Sequence, residues 1–224
     1  MISKALVEKM SELLSEMPTR WDGRQAILEM KNADYPHWKQ MEWIGFYFQF
    51  LCDTKLSSLM EIPGPKYGRV EFDGFAEIPW DFKAHPTKNA KGRESKSVIV
   101  NDRLATAQAI TEFGGAGLIL AIGEATYNDQ DRNFQIWHQG LKGDLSNYEK
   151  ERISRKAPSR LRKTEFKLNE IDLILLDDAV VKRLSSFQEG FRNSDGSPRN
   201  AKVLLDLNNI KPIKVITHNT YAQN

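Results

Sequence analysis

A single cysteine, Cys52, stands among the 224 residues. One thiol excludes an intrachain disulfide and any zinc site built on paired cysteines. Its apolar neighbours mark it as a small buried hydrophobe. No stretch approaches the roughly 18 uninterrupted apolar residues of a membrane helix. Residues 1–17 mix acids and bases at helical spacing and lack the apolar centre and small-residue cleavage site of a secretory leader. These absences point to a cytoplasmic protein with no membrane partner. No Gly-Lys-Ser/Thr phosphate loop occurs, and Gly114-Gly115-Ala116-Gly117 follows a helical stretch instead of opening one, so no dinucleotide fingerprint is present. His37, His85, His138 and His218 are too scattered for metal-ligand spacing.

Net charge is also scarce, at +2, but it is unevenly placed. Residues 1–80 hold 9 basic and 12 acidic side chains, and residues 81–224 hold 23 and 18. From Lys150 to Lys167 there are eight basic residues and two acids. Such a local excess suits a polyanion-binding surface, and it equally suits a solvated face.

Apolar spacing predicts a helix over 2–16, ended by Pro18, and a second over 23–31. His37 to Leu59 is apolar, aromatic and free of proline, which predicts one long buried helix stopped by Pro63-Gly64-Pro65. Tyr67 to Phe75 alternates in part and reads as a strand. Trp80 to Ala84 reads as a second, short strand. Residues 85–96 read as a basic loop, Val98 to Val100 as a strand, and Asn101 or Asp102 as the cap of a helix ending at Gly114. Leu118 to Ile122 reads as a buried strand, Phe134 to Leu141 as a helix, and 149–163 as basic and helical up to Pro158. Strands over 171–176, 203–207 and 215–217 and a helix over 179–187 complete the chain, with a turn-rich loop at 193–199. With no repeat or linker, one domain over 1–224 of α/β or α+β class is the simplest account.

The chemistry concentrates between Glu71 and Lys83. In a strand, residues two apart share a face, so Asp81 and Lys83 project together while Phe82 faces the core. If the preceding strand pairs with this one, Asp73 approaches Asp81. Two adjacent carboxylates repel unless a positive group lies between them. Mg2+ satisfies them, because it takes one or two carboxylates together with water and phosphate oxygens. A lysine beside it can orient or deprotonate the attacking water and stabilise charge on a phosphate. A metal, an activated water and charge stabilisation are what phosphodiester hydrolysis needs.

The order helix, acid-bearing strand, Asp81-Phe82-Lys83 strand, helix, strand resembles the core of the PD-(D/E)xK nuclease superfamily over about residues 37–123. Phe72 stands where the named pattern has proline, which leaves Glu71 as a rival to Asp73. The resemblance implies a restriction-endonuclease-like fold with a central mixed sheet flanked by helices, and a type II restriction endonuclease acting with Mg2+ on double-stranded DNA as a homodimer. It implies Asp73 and Asp81 as metal ligands, Lys83 as a catalytic residue, and Glu42, on the preceding helix, as a further acid near the metal. Helix-end exposure would explain Glu42 equally well. Residues 124–224 then hold most of the recognition elements. Arg192, Asn193, Ser194, Asp195, Arg199 and Asn200 suit base edges. Lys88, Lys91, Arg93, Arg160 and Arg162 suit phosphates. A repair or recombination nuclease of the same fold, or a DNA-binding protein without cleavage, remain the alternatives.

Overall fold

The computed structural model describes residues 2–145, 147–190, 198 and 200–218. Along the chain run α1 (Lys4–Ser15), β1 (Arg20–Asp22), α2 (Gly23–Asn32), a 3-10 turn at Pro36–Lys39, α3 (Trp43–Leu56), β2 (Lys66–Tyr67), β3 (Val70–Glu71), β4 (Gly74–Ala76), β5 (Ile78–Pro86), β6 (Ser97–Asp102), α4 (Arg103–Phe113) and β7 (Ala116–Thr126). After these come α5 (Asn133–Lys142), α6 (Asn147–Ser154), β8 (Glu165–Leu176), α7 (Asp178–Leu184), β9 (Ser185–Gln188), β10 (Lys202–Asp206) and β11 (Lys214–Thr217).

The main sheet runs β1-β8-β7-β5-β4, and β11 also pairs β8. Only β5 and β7 are parallel, so the sheet is mixed. Parallel neighbours need a long crossover, and the segment from β6 through α4 supplies it. One face of the sheet packs Trp80, Phe82, Ile119, Ile171 and Leu173 against Met10, Leu14, Ile27, Met30, Phe48 and Cys52 of α1, α2 and α3. The opposite face packs Leu118, Leu120 and Ile174 against Ala105 and Ala109 of α4 and Val203 and Leu205 of β10. A buried hydrophobic layer on each face makes an α/β protein whose central sheet is flanked by helices.

Several boundaries differ from those the sequence predicts. The 37–59 stretch is not one helix: it is the 3-10 turn followed by α3, because Gln40 to Glu42 is non-helical and Glu42 stands at the helix cap. The 67–75 strand is three pieces. Gly68, at φ +63°, turns β2 back on β3, and Asp73 lies in a bend before β4. Strand β5 is longer than expected and absorbs His85 and Pro86. Strand β6 does not extend the main sheet. It joins β10 and β9 in a separate three-stranded sheet. The 179–187 helix stops at Leu184 and continues as β9. Asp102, not Asn101, caps α4, and Gly114 closes that helix in the left-handed conformation.

Gly117 of β7 pairs with Trp80 of β5. A Cβ at Gly117 would fall 2.2 Å from the indole ring, so only glycine lets this ring lie across the parallel pair. Gly117→Ala forces Trp80 or the strand to move, at a cost of about 3 kcal/mol. Urea unfolding is expected to show that loss, and an unchanged midpoint would mean that Trp80 repacks freely.

Candidate active site

Strand β4 pairs with β5 only from Ile78 to Trp80. Beyond Trp80, that side of β5 has no strand partner among the described residues. The open edge is capped locally instead: Asp73 Oδ2 accepts a hydrogen bond from the Phe82 backbone N–H at 2.6 Å. The bend before β4 thus puts a carboxylate where a ladder carbonyl would otherwise sit. Asp73 Oδ1 accepts from Gln49 Nε2 of α3 at 2.7 Å, which fixes the carboxylate from the other side.

The alternation of β5 does the rest. Phe82 enters the core, and Asp81 and Lys83 lie together. Lys83 Nζ donates to Asp81 Oδ1 at 2.6 Å and to the Phe82 carbonyl at 3.3 Å, and lies 3.9 Å from Asp73 Oδ2. The ammonium therefore occupies the convergence point of three oxygens. The second oxygen of Asp81, Oδ2, is buried and has no hydrogen-bond partner.

Burial drives the electrostatics. It pushes the Asp73 carboxyl well above the ordinary carboxylate range, and the neighbouring Asp81 adds to this against the pull of Lys83. Burial alone would lower the Lys83 ammonium, but Asp81 and Asp73 outweigh it and hold Lys83 above its ordinary value. An acid with a raised folded pKa contributes stability at low pH that is lost as pH climbs through that pKa. In a chelator, melting should therefore fall as pH rises above the ordinary carboxylate value near 4. Asp53 and Asp172, both raised to about 6 by burial, add the same sign in the lower part of that window. Asp73→Asn is expected to flatten the upper part and raise the melting temperature there by a few degrees. An unchanged slope would place Asp73 in water, contrary to this geometry.

Three oxygens that converge on a cation, beside a further carboxylate oxygen, Asp81 Oδ2, that is buried and unpartnered, are a donor set that a hard divalent ion fits. Asp73, Asp81 and the Phe82 carbonyl are the donor types that Mg2+ takes, and it completes its shell with water. Among the described residues no group of three or more His, Cys, Asp or Glu is close enough to hold a metal. Beside the Asp73 and Asp81 pair, Lys83, Gln49, Gly45, Phe46, Glu42 and Lys163 line a cavity of about 240 Å³ along the open edge of β5.

Glu42 shares that cavity, but it is exposed at the α3 cap and its carboxylate is ion-paired with Lys163. The α3 side chain that reaches Asp73 is Gln49. The sequence carried a signal for it: Glu42, Gln49 and Asp53, seven and four residues apart, are polar positions on one helical face of an otherwise apolar, aromatic segment. Glu71 is exposed in β3, opposite Lys66, and faces a second cavity that Asp73 also lines. If the chain cleaves DNA as the resemblance implies, Glu71→Gln is expected to keep cleavage within about threefold of the parent, a surface-scale effect. Loss of cleavage in that variant would move the first ligand to Glu71.

The remaining residues spread out. Lys88, Lys91 and Arg93 are exposed on the turn that continues β5 beyond Lys83, built by Asn89 Oδ1 accepting from Lys91 and Arg93 backbone N–H groups. Arg160 is exposed, whereas Arg162 lines a partly open cavity beneath α5. Asn200 contacts the Asp102 cap at 3.5 Å. Arg192, Asn193, Ser194, Asp195 and Arg199 lie outside the described residues. No family model, curated protein or solved structure matches the chain.

Proposed function

We propose that the chain is a Mg2+-dependent type II restriction endonuclease, hydrolysing phosphodiester bonds of double-stranded DNA at a short palindrome as a homodimer. The observation that carries this reading is the Asp73–Asp81–Lys83 assembly at the open edge of β5. It has a buried, unpartnered Asp81 oxygen and a lysine held by both acids. The run of α3, β4, β5, α4 and β7, with β5 and β7 parallel, supports the finer reading of a restriction-endonuclease-like core.

In this reading Asp73, Asp81 and the Phe82 carbonyl would hold the cation, and Mg2+ when bound would supply Lewis-acid polarisation of the phosphate and lower the pKa of the attacking water. Gln49 and the Phe82 N–H keep the Asp73 carboxylate aimed at the site. Lys83, kept charged by its two acids, enters as a hydrogen-bond donor that orients the water and stabilises the phosphate oxygens as charge builds on them. Water oxygen bonds to phosphorus and gives up one proton to solvent, one ester P–O bond breaks, and the leaving oxygen takes up a proton from solvent. A palindrome presents two equivalent scissile bonds, which a two-fold dimer meets together.

Digestion of a phage-sized duplex with and without Mg2+ tests the proposal. Discrete bands that need Mg2+ are expected. Cutting confined to branched or mismatched DNA would make the chain a structure-specific nuclease. Binding with no cutting under any divalent ion would leave only a DNA-binding protein.

A further inference from the structure

The strand that carries Asp81 and Lys83 runs on past the sheet. After Pro86 the chain forms a two-stranded ribbon over 87–95. Ser95 N–H donates to the Thr87 carbonyl at 2.8 Å, Lys88 bridges Glu94, and Asn89 N–H donates to the Arg93 carbonyl at 2.9 Å. Gly92, at φ +70°, turns the tip and returns its N–H to the Asn89 carbonyl at 2.9 Å. The root is tied to the sheet: Thr87 N–H donates to the Gly123 carbonyl of β7 at 2.8 Å, and His85 Nε2 bonds the Ser95 carbonyl at 3.0 Å. Every residue from Lys88 to Glu94 is exposed. The segment is a braced arm that stands out from the sheet. Its charge is one-sided. Lys88, Lys91, Arg93 and Lys96 face a single acid, Glu94, which is ion-paired with Lys96 at 3.4 Å. The side chains of Lys88, Lys91 and Arg93 have no ion-pair or hydrogen-bond partner among the described residues.

We infer that this ribbon enters the major groove of duplex DNA beside the cut, where Lys91 and Arg93 read guanine. The inference rests on the nuclease reading and adds to it part of the recognition site. Shape argues for the groove. The major groove is about 12 Å wide and admits a two-stranded ribbon, and the minor groove, about 6 Å wide, does not. Chemistry argues for the base. Lysine and arginine side chains are donors only, and guanine shows two adjacent acceptors there, O6 and N7. Position argues for the neighbourhood of the cut. The cavity that Lys83 lines continues along β5 to Pro86, at the root of the ribbon. From Lys83 to Lys88 the extended chain spans about 16 Å, close to about five base-pair steps of 3.4 Å. The site therefore holds a G·C pair within about five base pairs of the scissile bond. Lys88, nearer the root, stays level with the phosphates.

Arg93→Ala, Lys91→Ala and Lys88→Ala in the full chain test this. All three side chains are exposed, and the turn is built from backbone groups and Asn89, so the variants keep the fold. The site is mapped from a phage digest or, if nothing is cut, from duplexes selected out of a random pool in chelator. Short duplexes carrying that site and its single-pair changes are then compared. Arg93→Ala is expected to lower cleavage or binding of the parental site roughly ten- to hundredfold, and to relax the choice at one G·C pair. Replacing that guanine with a deaza analogue lacking N7 is expected to weaken the parent severalfold and to add little in Arg93→Ala. Lys88→Ala is expected to weaken all sequences alike, with a salt slope shallower by about one. A mapped site without a G·C pair in that range overturns the inference. So do Arg93→Ala and Lys91→Ala variants that keep the parental site choice at every pair. Mg2+-dependent cutting alongside either result leaves the nuclease standing without the ribbon. Guanine-dependent binding that the variants lose, with no cutting under any divalent ion, keeps the ribbon and sinks the nuclease. A parent that binds no duplex sinks both.

Discussion

Asp81→Ala is expected to abolish Mg2+-dependent cleavage while the chain stays folded. Asp81 is 4% exposed, and its Oδ2 has no protein partner. A buried carboxylate oxygen without a partner is costly, and a coordinated cation offsets that cost. In the proposed reaction, losing this ligand would remove the cation's charge from the reacting phosphate, several kcal/mol of transition-state stabilisation. About 4 kcal/mol corresponds to roughly a thousandfold in rate. The stability cost is smaller. Breaking a fully buried pair costs about 3–5 kcal/mol, but Lys83 is one-third exposed and keeps Asp73 at 3.9 Å. It can turn towards water, so a loss of about 1 kcal/mol is the reasonable scale. Mg2+ should raise the melting temperature of the parent and leave that of Asp81→Ala unmoved. Parental cleavage by this variant would mean that the metal, if used, sits elsewhere.

Asp73→Asn is expected to be as inactive as Asp81→Ala, for a related reason. The amide keeps an oxygen for the Phe82 N–H, so the capped edge survives, but it removes one of the two charges that would hold the cation in the proposed site. Full cleavage by Asp73→Asn, with Glu71→Gln inactive, would transfer the role to Glu71.

The sequence made the Asp81–Lys83 pairing legible because strand alternation is local: two residues apart means one face. The Asp102 cap and Gly114 stop of α4 were legible in the same way, since caps are read within one helical turn. Asp73 was placed near the site but assigned to a strand. Its role depends on a bend, and on β4 ending where it does, so that its carboxylate takes over an unpaired N–H. Gln49 was missed because its importance comes from a residue 24 positions away. The sheet that strand β6 joins was not legible. Val98-Ile99-Val100 states only that a strand exists, and its partner β10 lies about a hundred residues downstream. Arg160 and Arg162 look equivalent in a basic run, yet one is exposed and the other lines a cavity. Charge composition carries no information about which side chains turn inward.

Lys83→Ala separates chemistry from binding. Many exposed cations remain to neutralise DNA phosphates, among them Lys88, Lys91 and Arg93, so the counterion-release contribution to affinity should hardly change. Affinity for duplex in chelator is expected to stay within about threefold of the parent, because one phosphate contact among many is lost. The rate is expected to fall by about 10²–10⁴, the range for losing a positioned proton-handling or charge-stabilising group. A second consequence follows from the ammonium's place between the two acids. Lys83 holds the Asp73 carboxyl down against burial, so without it Asp73 stays protonated to a higher pH. A protonated acid is a poor ligand, and metal affinity then depends more steeply on pH. Lys83→Ala should therefore need more Mg2+ than the parent at neutral pH, and this deficit should shrink as pH rises. The rate at saturating Mg2+ should remain low at every pH, because deprotonating Asp73 restores the ligand but not the donor. Single-turnover cleavage across Mg2+ concentration and pH, beside anisotropy titrations, reads both effects. Full recovery of the rate at high pH would reduce Lys83 to a residue that positions and ionises Asp73. A large loss of affinity in chelator would make it a DNA contact instead.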